Sequence, residues 1–228
     1  MQNYPERVTE AFDKATLHIA YCISFIKKFL SKDILEVGAG CGSFTKLYDN
    51  KNIRSITLTE VDKKNLNILK ENFSKKKFFI TSKKISKINK KFNTIIYLHV
   101  LEHIKKDKDE ILQATKRLKN NGYLIFIVPA HQKMYSNLDK LVGHFRRYDI
   151  SFFKKNFKSL KLEKIKYLDS MGYILYFLNK IFFKKENYPS NFKIFIWDKV
   201  FTPLSVIFDF ITFYKFGKCI LAIYKKSN

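Results

Sequence analysis

Three glycines spaced two residues apart follow a short apolar run early in the chain. Residues 34–45 are ILEVGAGCGSFT, in which Gly38, Gly40 and Gly42 form a G-x-G-x-G turn and Glu36 lies two positions before it. The apolar run is typical of a buried parallel strand. Glycine allows a ligand to approach the backbone closely, and a helix that starts here offers free N–H groups. The stretch therefore predicts a strand–turn–helix site for a ligand that lies against the backbone.

The spacing of these glycines differs from that of a dinucleotide-binding turn. That turn follows G-x-G-x-x-G, which would require a glycine at position 43, where the chain has Ser43. A nicotinamide-dependent enzyme is therefore disfavoured.

A carboxylate lies where a ribose could be bound. Residues 55–59 (SITLT) predict the second strand, and Glu60 ends it, roughly 20 residues after the glycine turn. A carboxylate can accept hydrogen bonds from both hydroxyls of a ribose diol. Asp62 is better placed to cap the next helix. Glu60 is therefore the predicted ribose ligand, and a solvated surface acid is the alternative interpretation.

Strands and helices alternate along the rest of the first two thirds of the chain. Such strand–helix units predict a parallel sheet with right-handed crossovers. The apolar patterns place helices at 9–30, with Thr9 as its cap, and at 107–119, and further strands at 78–80, 93–98, 123–128 (after a turn at 120–122), 162–168 and 216–224.

The glycine turn, the acid after the second strand and the segment 92–130 (FNTIIYLHVLEHI…YLIFIVPA) occur in a characteristic order. In this order and spacing the chain resembles the class I S-adenosylmethionine-dependent methyltransferases. The resemblance implies an α/β, Rossmann-like, doubly wound seven-stranded sheet, mostly parallel with an antiparallel last strand, and helices on both faces. It implies a single domain over 1–228, with an N-terminal helix (1–32), a cofactor-binding core (33–130), an acceptor-covering loop with apolar helices (131–215) and the last strand (216–225).

The resemblance also implies S-adenosylmethionine as the cofactor, at the carboxyl ends of the first, second and fourth strands. Many relatives carry an aspartate after the third strand that holds the adenine amino group. This chain has Thr-Ser-Lys-Lys at 81–84, so Ser82 and backbone groups take that position. The residues implied to bind the cofactor are Glu36, Gly38, Ala39, Gly40, Gly42, Glu60, Val61, Ser82, Leu98, His99 and Leu101.

Residues 134–149 (MYSNLDKLVGHFRRYD) form a second informative stretch. It resembles a bacterial subgroup of these methyltransferases in which a loop close to L-D-x-x-x-G-H-x-R-R-Y follows the fifth strand and covers the acceptor. Two adjacent arginines suit a carboxylate or phosphate on the acceptor. Alternatively, they pair with acids such as Asp139 and Asp149 and fix the loop. The residues implied to face the acceptor are His131, His144, Arg146, Arg147 and Tyr148.

Methyl transfer from a sulfonium needs a general base only when the acceptor is protonated at neutral pH. His144 and His103 are the candidates, and Glu102 could orient the ring of His103. Alternatively, His103 only braces the loop. Three scattered cysteines and the absence of a carboxylate–histidine cluster in the sequence predict no metal site.

Residues 172–214 are rich in apolar and aromatic side chains. One helix is predicted over 191–201, and Thr202 is predicted to cap a second. Their few polar residues form one narrow stripe that contains Asp198 and Asp209. The apolar remainder could form an internal lid over the acceptor or lie on a membrane surface. Two acids in the polar stripe disfavour anionic headgroups there, so internal packing is expected, and a peripheral membrane contact through 172–214 is left open.

The formal net charge is +24, and 46% of the residues are hydrophobic. The charge comes mainly from lysines spread over the whole chain, as A/T-rich codon usage produces, so a nucleic-acid partner is disfavoured. The start of the chain lacks a signal-peptide pattern, so a cytoplasmic location is expected, with the inner membrane face as an alternative. The expected function is methyl transfer to a small-molecule or lipid/sugar-linked acceptor; the alternatives are an RNA methyltransferase and a non-catalytic binding protein of the same fold.

Overall fold

The computed structural model describes residues 12–48, 51–155, 157, 159–182 and 190–227. Within these residues, seven strands form one sheet in the order β3-β2-β1-β4-β5-β7-β6. The chain crosses back to the other side of β1 between β3 and β4, which makes the β1/β4 boundary the topological switch point. The strands are β1 Lys32–Val37, β2 Ile53–Thr59, β3 Phe78–Thr81, β4 Phe92–Leu98, β5 Leu118–Pro129, β6 Leu160–Leu168 and β7 Cys219–Lys226.

The strand β7 is antiparallel to both of its neighbours, and the other six strands run in one direction. This confirms the predicted Rossmann-like sheet with an antiparallel last strand. The helices of the described residues are α1 Thr16–Ile26, α2 Lys63–Asn72, α3 Asp107–Arg117, α4 Asn137–Leu141, α5 Ile150–Lys155, α6 Ser170–Phe182, α7 Asn191–Ile196 and α8 Thr202–Ile211.

Two apolar cores, one on each face of the sheet, result from the alternation of side chains along the strands. In β5, Ile125 and Ile127 join the core that includes α1 and α2. Leu124 and Phe126 point the other way, into the core beneath α3 and α5. Burial on both faces explains why the central strands are nearly continuous apolar runs.

Several predicted boundaries shift by a few residues. The predicted first helix is interrupted: residues 12–13 are helical, the helix breaks at Lys14 and Ala15, and α1 begins at Thr16. The predicted cap Thr9 lies outside the described residues. The strand β5 already begins at Leu118, so the predicted turn at 120–122 is an irregularity within that strand. A Cβ at Gly122 would come within 3 Å of backbone carbonyl oxygens, which explains the glycine.

The prediction that Thr202 caps a new helix is wrong. Thr202 has helical backbone angles, φ −64° and ψ −47°, and α7 continues into α8 through a π-helical turn, Trp197–Phe201. Proline has no backbone N–H, and a wider turn accommodates the missing donor of Pro203 without ending the helix.

The polar stripe of α7 and α8 faces the interior, so the expected internal packing of their apolar side is wrong. Asp198, Ser205 and Asp209 are at most 1% exposed, whereas Phe210 is 71% exposed. The carboxylates turn inward because they accept hydrogen bonds from the amino ends of α1 and α6. Among the described residues, no helix is long and apolar enough to cross a membrane.

Candidate functional site

The glycine loop after β1 has the backbone that its sequence predicts. Gly38, Gly40 and Gly42 all have positive φ angles, at +67°, +56° and +85°. A Cβ at Gly38 would collide with Val100, and one at Gly42 with the ring of Phe73. A Cβ at Gly40 would meet no atom within 4 Å, so this part of the loop is open to a ligand.

Glu60 at the end of β2 holds the glycine loop in place. One carboxylate oxygen accepts from the Gly40 N–H at 2.8 Å, and the other accepts from the N–H groups of Val61 and Asp62 at 2.7 and 2.9 Å. Each carboxylate oxygen has two lone pairs, so Glu60 retains capacity for further donors. Asp62 caps α2 through the Asn65 N–H at 2.9 Å, as predicted.

Glu36 lies beneath the loop, 2% exposed, and accepts a 2.6 Å hydrogen bond from the Thr45 hydroxyl. Burial raises the pKa of Glu36 to about 7. The geometry therefore gives Glu36 a role in supporting the turn.

The other predicted cofactor residues occupy different environments. Val61 is 65% exposed next to Glu60, and Ser82 is exposed after β3. Leu98 and Leu101 are buried in the two cores, so their side chains support the site from beneath.

His99 has φ +54° at the end of β4, and its N–H donates to the Ile127 carbonyl at 2.8 Å.

A carboxylate and two histidines meet beyond the end of β4. The possible ligand atoms of Glu102, His103 and His144 lie within 4.8 Å of one another. Glu102 is 0% exposed, and neither of its carboxylate oxygens has a hydrogen-bond partner. Burial raises the pKa of Glu102 to about 7. The Glu102–His103–His144 group, called the proton cluster below, is adjacent to the glycine loop, because Val100 from the same segment packs against Gly38.

His99 and His103 are poor bases. Burial, together with the neighbouring histidine rings, lowers the pKa of His99 to about 3 and that of His103 to about 4. Both rings are therefore neutral at pH 7. His103 contacts the ring of His144 edge-on, with 4.6 Å between centroids.

Asp139 orients His144. Its Oδ1 lies 2.8 Å from Nδ1 of His144 and accepts from Nε of Arg147 at 2.9 Å. Burial of Asp139 alone would raise its pKa, but the hydrogen bonds from His144 and Arg147 keep it well below the ordinary value. An ionised carboxylate only accepts, so Nδ1 of His144 donates and Nε2 faces Glu102 Oε1 at 3.9 Å.

The two arginines of the loop make contacts that fix it. Arg147 pairs with Asp139, whereas Arg146 pairs with Asp107 at 2.5 Å and donates to the carbonyl of Ile104. Tyr148 donates to the same carboxylate of Asp107 at 2.9 Å. These contacts support the bracing interpretation. Both arginines also line an open groove of about 360 Å³, so their contact with an anionic acceptor stays a prediction.

His131 lies apart from the proton cluster. Its Nε2 is 3.0 Å from the Gly217 carbonyl, and its ring stacks on Tyr167 with 4.9 Å between centroids. Its predicted contact with the acceptor is not tested by these distances.

A second group of possible metal-ligand atoms was not predicted from the sequence. His18, His99 and Cys219 come within 4.8 Å of one another, and the His18 ring packs on Trp197. These residues belong to α1, the end of β4 and the start of β7, and no spacing in the sequence connects them. The sequence also predicted no carboxylate–histidine cluster, and the proton cluster shows that this prediction is wrong. Both groups have donor sets that could hold a divalent cation.

A family of methyltransferase domains matches residues 13–172. No curated protein sequence matches. Among solved structures, a candidate methyltransferase in complex with the Haloferax volcanii Trm112 methyltransferase activator is similar, with TM-score 0.69, 9% identity, and coverage of 100% of this chain and 99% of that one.

Two further structures are similar over most of their length. The N-methyltransferase NodS from Bradyrhizobium japonicum WM9, bound to S-adenosyl-L-homocysteine, has TM-score 0.62 and 12% identity over 99% of this chain and 93% of that one. Coclaurine N-methyltransferase, bound to N-methylheliamine and S-adenosylhomocysteine, has TM-score 0.61 and 12% identity over 93% and 72%. Family and fold support S-adenosylmethionine as the cofactor, in agreement with the sequence prediction. The chain belongs to the methyltransferase domain family.

Proposed function

We propose that the chain transfers the methyl group of S-adenosylmethionine to a small-molecule or lipid/sugar-linked acceptor that must lose a proton from nitrogen or oxygen. The observation that carries this proposal is the proton cluster next to the glycine loop. A buried carboxyl with a pKa near 7 can take a proton at neutral pH. Such a group serves a reaction in which the acceptor is protonated at the start.

The residues of the glycine loop fit the cofactor. Gly40 leaves open space, Glu60 has lone pairs for ribose hydroxyls, and exposed Val61 offers an apolar surface for a planar base. When bound, S-adenosylmethionine supplies an activated methyl group. The chain's own contribution is to hold the acceptor in line and to exclude water.

Glu102 and His144 are better suited than His103 to accept the proton. His103 has a lowered pKa of about 4, so its neutral ring is a weak base. His144 is fixed by Asp139 with Nε2 towards Glu102, which provides a short route for a proton from the cluster's surface to the buried carboxylate. In this proposal His144 contacts the acceptor and Glu102 holds the proton.

The first test is calorimetric titration with S-adenosylmethionine and, in parallel, NADH. The variants are Glu60→Gln and the matched control Asp62→Asn, which removes the same charge two residues away and preserves a capping side chain. We expect binding of S-adenosylmethionine alone, weakened roughly ten- to a hundredfold by Glu60→Gln because a charged acceptor of hydrogen bonds is lost. Asp62→Asn should bind as the wild type does. Absence of binding would favour the non-catalytic alternative.

The second test follows radiolabelled methyl groups into pools of amines, lipid and sugar-linked extracts, and RNA. Amines come first, because NodS and coclaurine N-methyltransferase are named as N-methyltransferases. Glu102→Gln should leave the affinity for S-adenosylmethionine unchanged and reduce transfer at pH 7 by at least tenfold, within the range of general-base effects. Label in RNA alone would favour the nucleic-acid alternative.

A further inference from the structure

The helices α7 and α8 expose a continuous apolar surface, called the outer apolar face below. Six of its side chains are more than half exposed, and two of them, Phe210 and Phe213, are 71% and 79% exposed. The neighbouring helix α6, which packs against α8, extends the face with partly exposed apolar side chains. The six residues are Phe192, Phe195, Ile207, Phe210, Ile211 and Phe213. A contiguous apolar surface of this kind marks an interaction site.

Hydrogen bonds to the opposite side of α8 fix the direction of this face. Asp209 accepts from the N–H groups of Asp169 and Ser170 at 2.8 and 2.9 Å, and Ser205 accepts from that of Met171 at 3.1 Å. These are donors at the amino end of α6 that have no partner within their own helix. Rotating α8 to bury its apolar side would leave them unsatisfied, so the exposure is built into the fold.

Asp198 has the same role for α1. It accepts from the N–H groups of His18 and Leu17, at 2.9 and 3.4 Å. The polar stripe of α7 and α8 thus caps two other helices, and only the apolar sides remain for the surface.

Phe213 lies at a backbone position that does not favour its side chain. Its φ is +53°, in the left-handed region that glycine and asparagine tolerate best. Among the large apolar side chains that the structure describes, its ring is the most exposed, and it packs on little of the protein. Packing within the fold therefore does not account for a phenylalanine at this position.

The charges around the face have one sign. Between 190 and 218 the only acids are Asp198 and Asp209, and both are buried. The exposed charged side chains of the same stretch are Lys215 and Lys199, and Lys199 pairs with the buried Asp198 at 2.8 Å. The whole chain has a net charge of +24. Asp198 and Asp209 therefore do not lie on the surface. The argument from the sequence that these two acids disfavour anionic headgroups does not apply to the folded chain.

We propose that the outer apolar face docks on the surface of a lipid bilayer that contains anionic lipid. Apolar side chains insert among the acyl chains without needing a complementary shape, and surrounding lysines are attracted to the headgroups. A second copy of the chain is a poorer occupant, since it would bring two molecules of net charge +24 face to face. The helices would lie in the plane of the interface, since none of the described helices is both long and apolar enough to span it.

The test is co-sedimentation with vesicles of phosphatidylcholine containing 30% phosphatidylglycerol at low salt, without S-adenosylmethionine, so it is independent of the proposed function. The variant is Phe210→Asp/Phe213→Asp. The matched control is Phe79→Asp/Leu112→Asp, which adds the same charge at two apolar residues of β3 and α3 that are 54% and 53% exposed. We expect the wild type and the control to bind, binding to fall with added salt, and the variant to bind at least tenfold more weakly.

Three outcomes would overturn the proposal. The first is failure of the wild type to sediment at low salt. The second is equal binding to pure phosphatidylcholine vesicles, which would remove the role of anionic lipid. The third is a concentration-dependent dimer in analytical ultracentrifugation that the variant at Phe210 and Phe213 abolishes, together with no vesicle binding, which would assign the face to a second copy of the chain.

Discussion

Glu102 is a buried carboxyl whose two oxygens lack hydrogen-bond partners, and its cost to the fold depends on pH. Burial raises its pKa from 4.5 to about 7. The folded chain therefore binds this proton more tightly than the unfolded chain. The stability that the proton provides is complete below pH 4.5 and is lost as pH rises to 7.

Glu102→Gln replaces this carboxyl with a neutral side chain of similar shape. We expect the difference in free energy of unfolding, variant minus wild type, to increase by roughly 3 kcal/mol between pH 4.5 and pH 8. Urea denaturation at pH 4.5, 6 and 8 measures it. Glu71→Gln, at an exposed position on α2, is the control. A constant difference over this range would show that Glu102 is not protonated in the folded chain near neutral pH.

The contact between the glycine loop and Glu60 was predictable at the residue level, and the contacts around Glu102 were not. Gly38, Gly40, Gly42 and Glu60 lie at consecutive points where β1 and β2 end, so local spacing alone places them together. His144 reaches Glu102 across 42 positions through a loop fixed by Asp107 and Asp139. No local pattern encodes that contact, and the lack of hydrogen-bond partners at the Glu102 carboxylate is visible only in three dimensions.

At the scale of elements, Asp209 on α8 ties three parts of the chain together. It accepts from the Tyr21 hydroxyl on α1 at 2.6 Å and from two N–H groups at the start of α6. Asp209→Ala should lower the free energy of unfolding by about 3 kcal/mol, because it leaves several buried donors without an acceptor. Denaturant unfolding measures this loss.

Thr212→Ala is the control for Asp209→Ala. Thr212 belongs to the same polar stripe, but its hydroxyl donates to carbonyls of its own helix. We expect a change within about 0.5 kcal/mol, as for most surface substitutions. Equal losses in both variants would show that capping by Asp209 does not hold α6 in place.

The strands were predictable because their sequence pattern is local. Which side of α7 and α8 faces the interior was not predictable from such a pattern. Continuous apolar runs such as 93–98 and 123–128 have few alternatives to a buried strand. In α7 and α8 an apolar majority normally indicates the buried side. Here the buried side is the polar minority, because Asp198 and Asp209 satisfy helix ends that lie elsewhere in the sequence.

At the scale of the whole molecule, the buried carboxylate of Asp33 joins three strands at the amino end of the sheet. Asp33 of β1 pairs with Arg54 of β2 and with Lys119 of β5, the latter at 2.9 Å. The hydrogen bond from Arg54 holds the pKa of Asp33 well below its ordinary value. The stability that Asp33 provides is therefore present above about pH 4 and is lost as pH falls further.

Two buried acids and two partly buried histidines have opposite effects on stability between about pH 4.5 and 6.5. Glu36 and Glu102 have pKa values raised to about 7, so stability falls as pH rises from 4.5 to 7. His99 and His103 have pKa values lowered to about 3 and 4, so the folded chain excludes protons that the unfolded chain binds below pH 6.5. Their contribution to stability therefore rises with pH up to about 6.5. The two effects are opposite in sign and act over the same pH range.

We therefore expect the free energy of unfolding of the wild type to change little between pH 5 and pH 7 and to fall steeply below pH 5. In the acid range the histidine contribution is still being lost and that of Asp33 begins to fail, while the positive net charge, already +24 at pH 7, grows further. Urea denaturation from pH 3 to 8 measures the profile. In Glu36→Gln/Glu102→Gln the flat region should become a rise with pH, since only the histidines then titrate. A flat region in the double variant would contradict the balance, because it would mean that the histidines are not held neutral by burial.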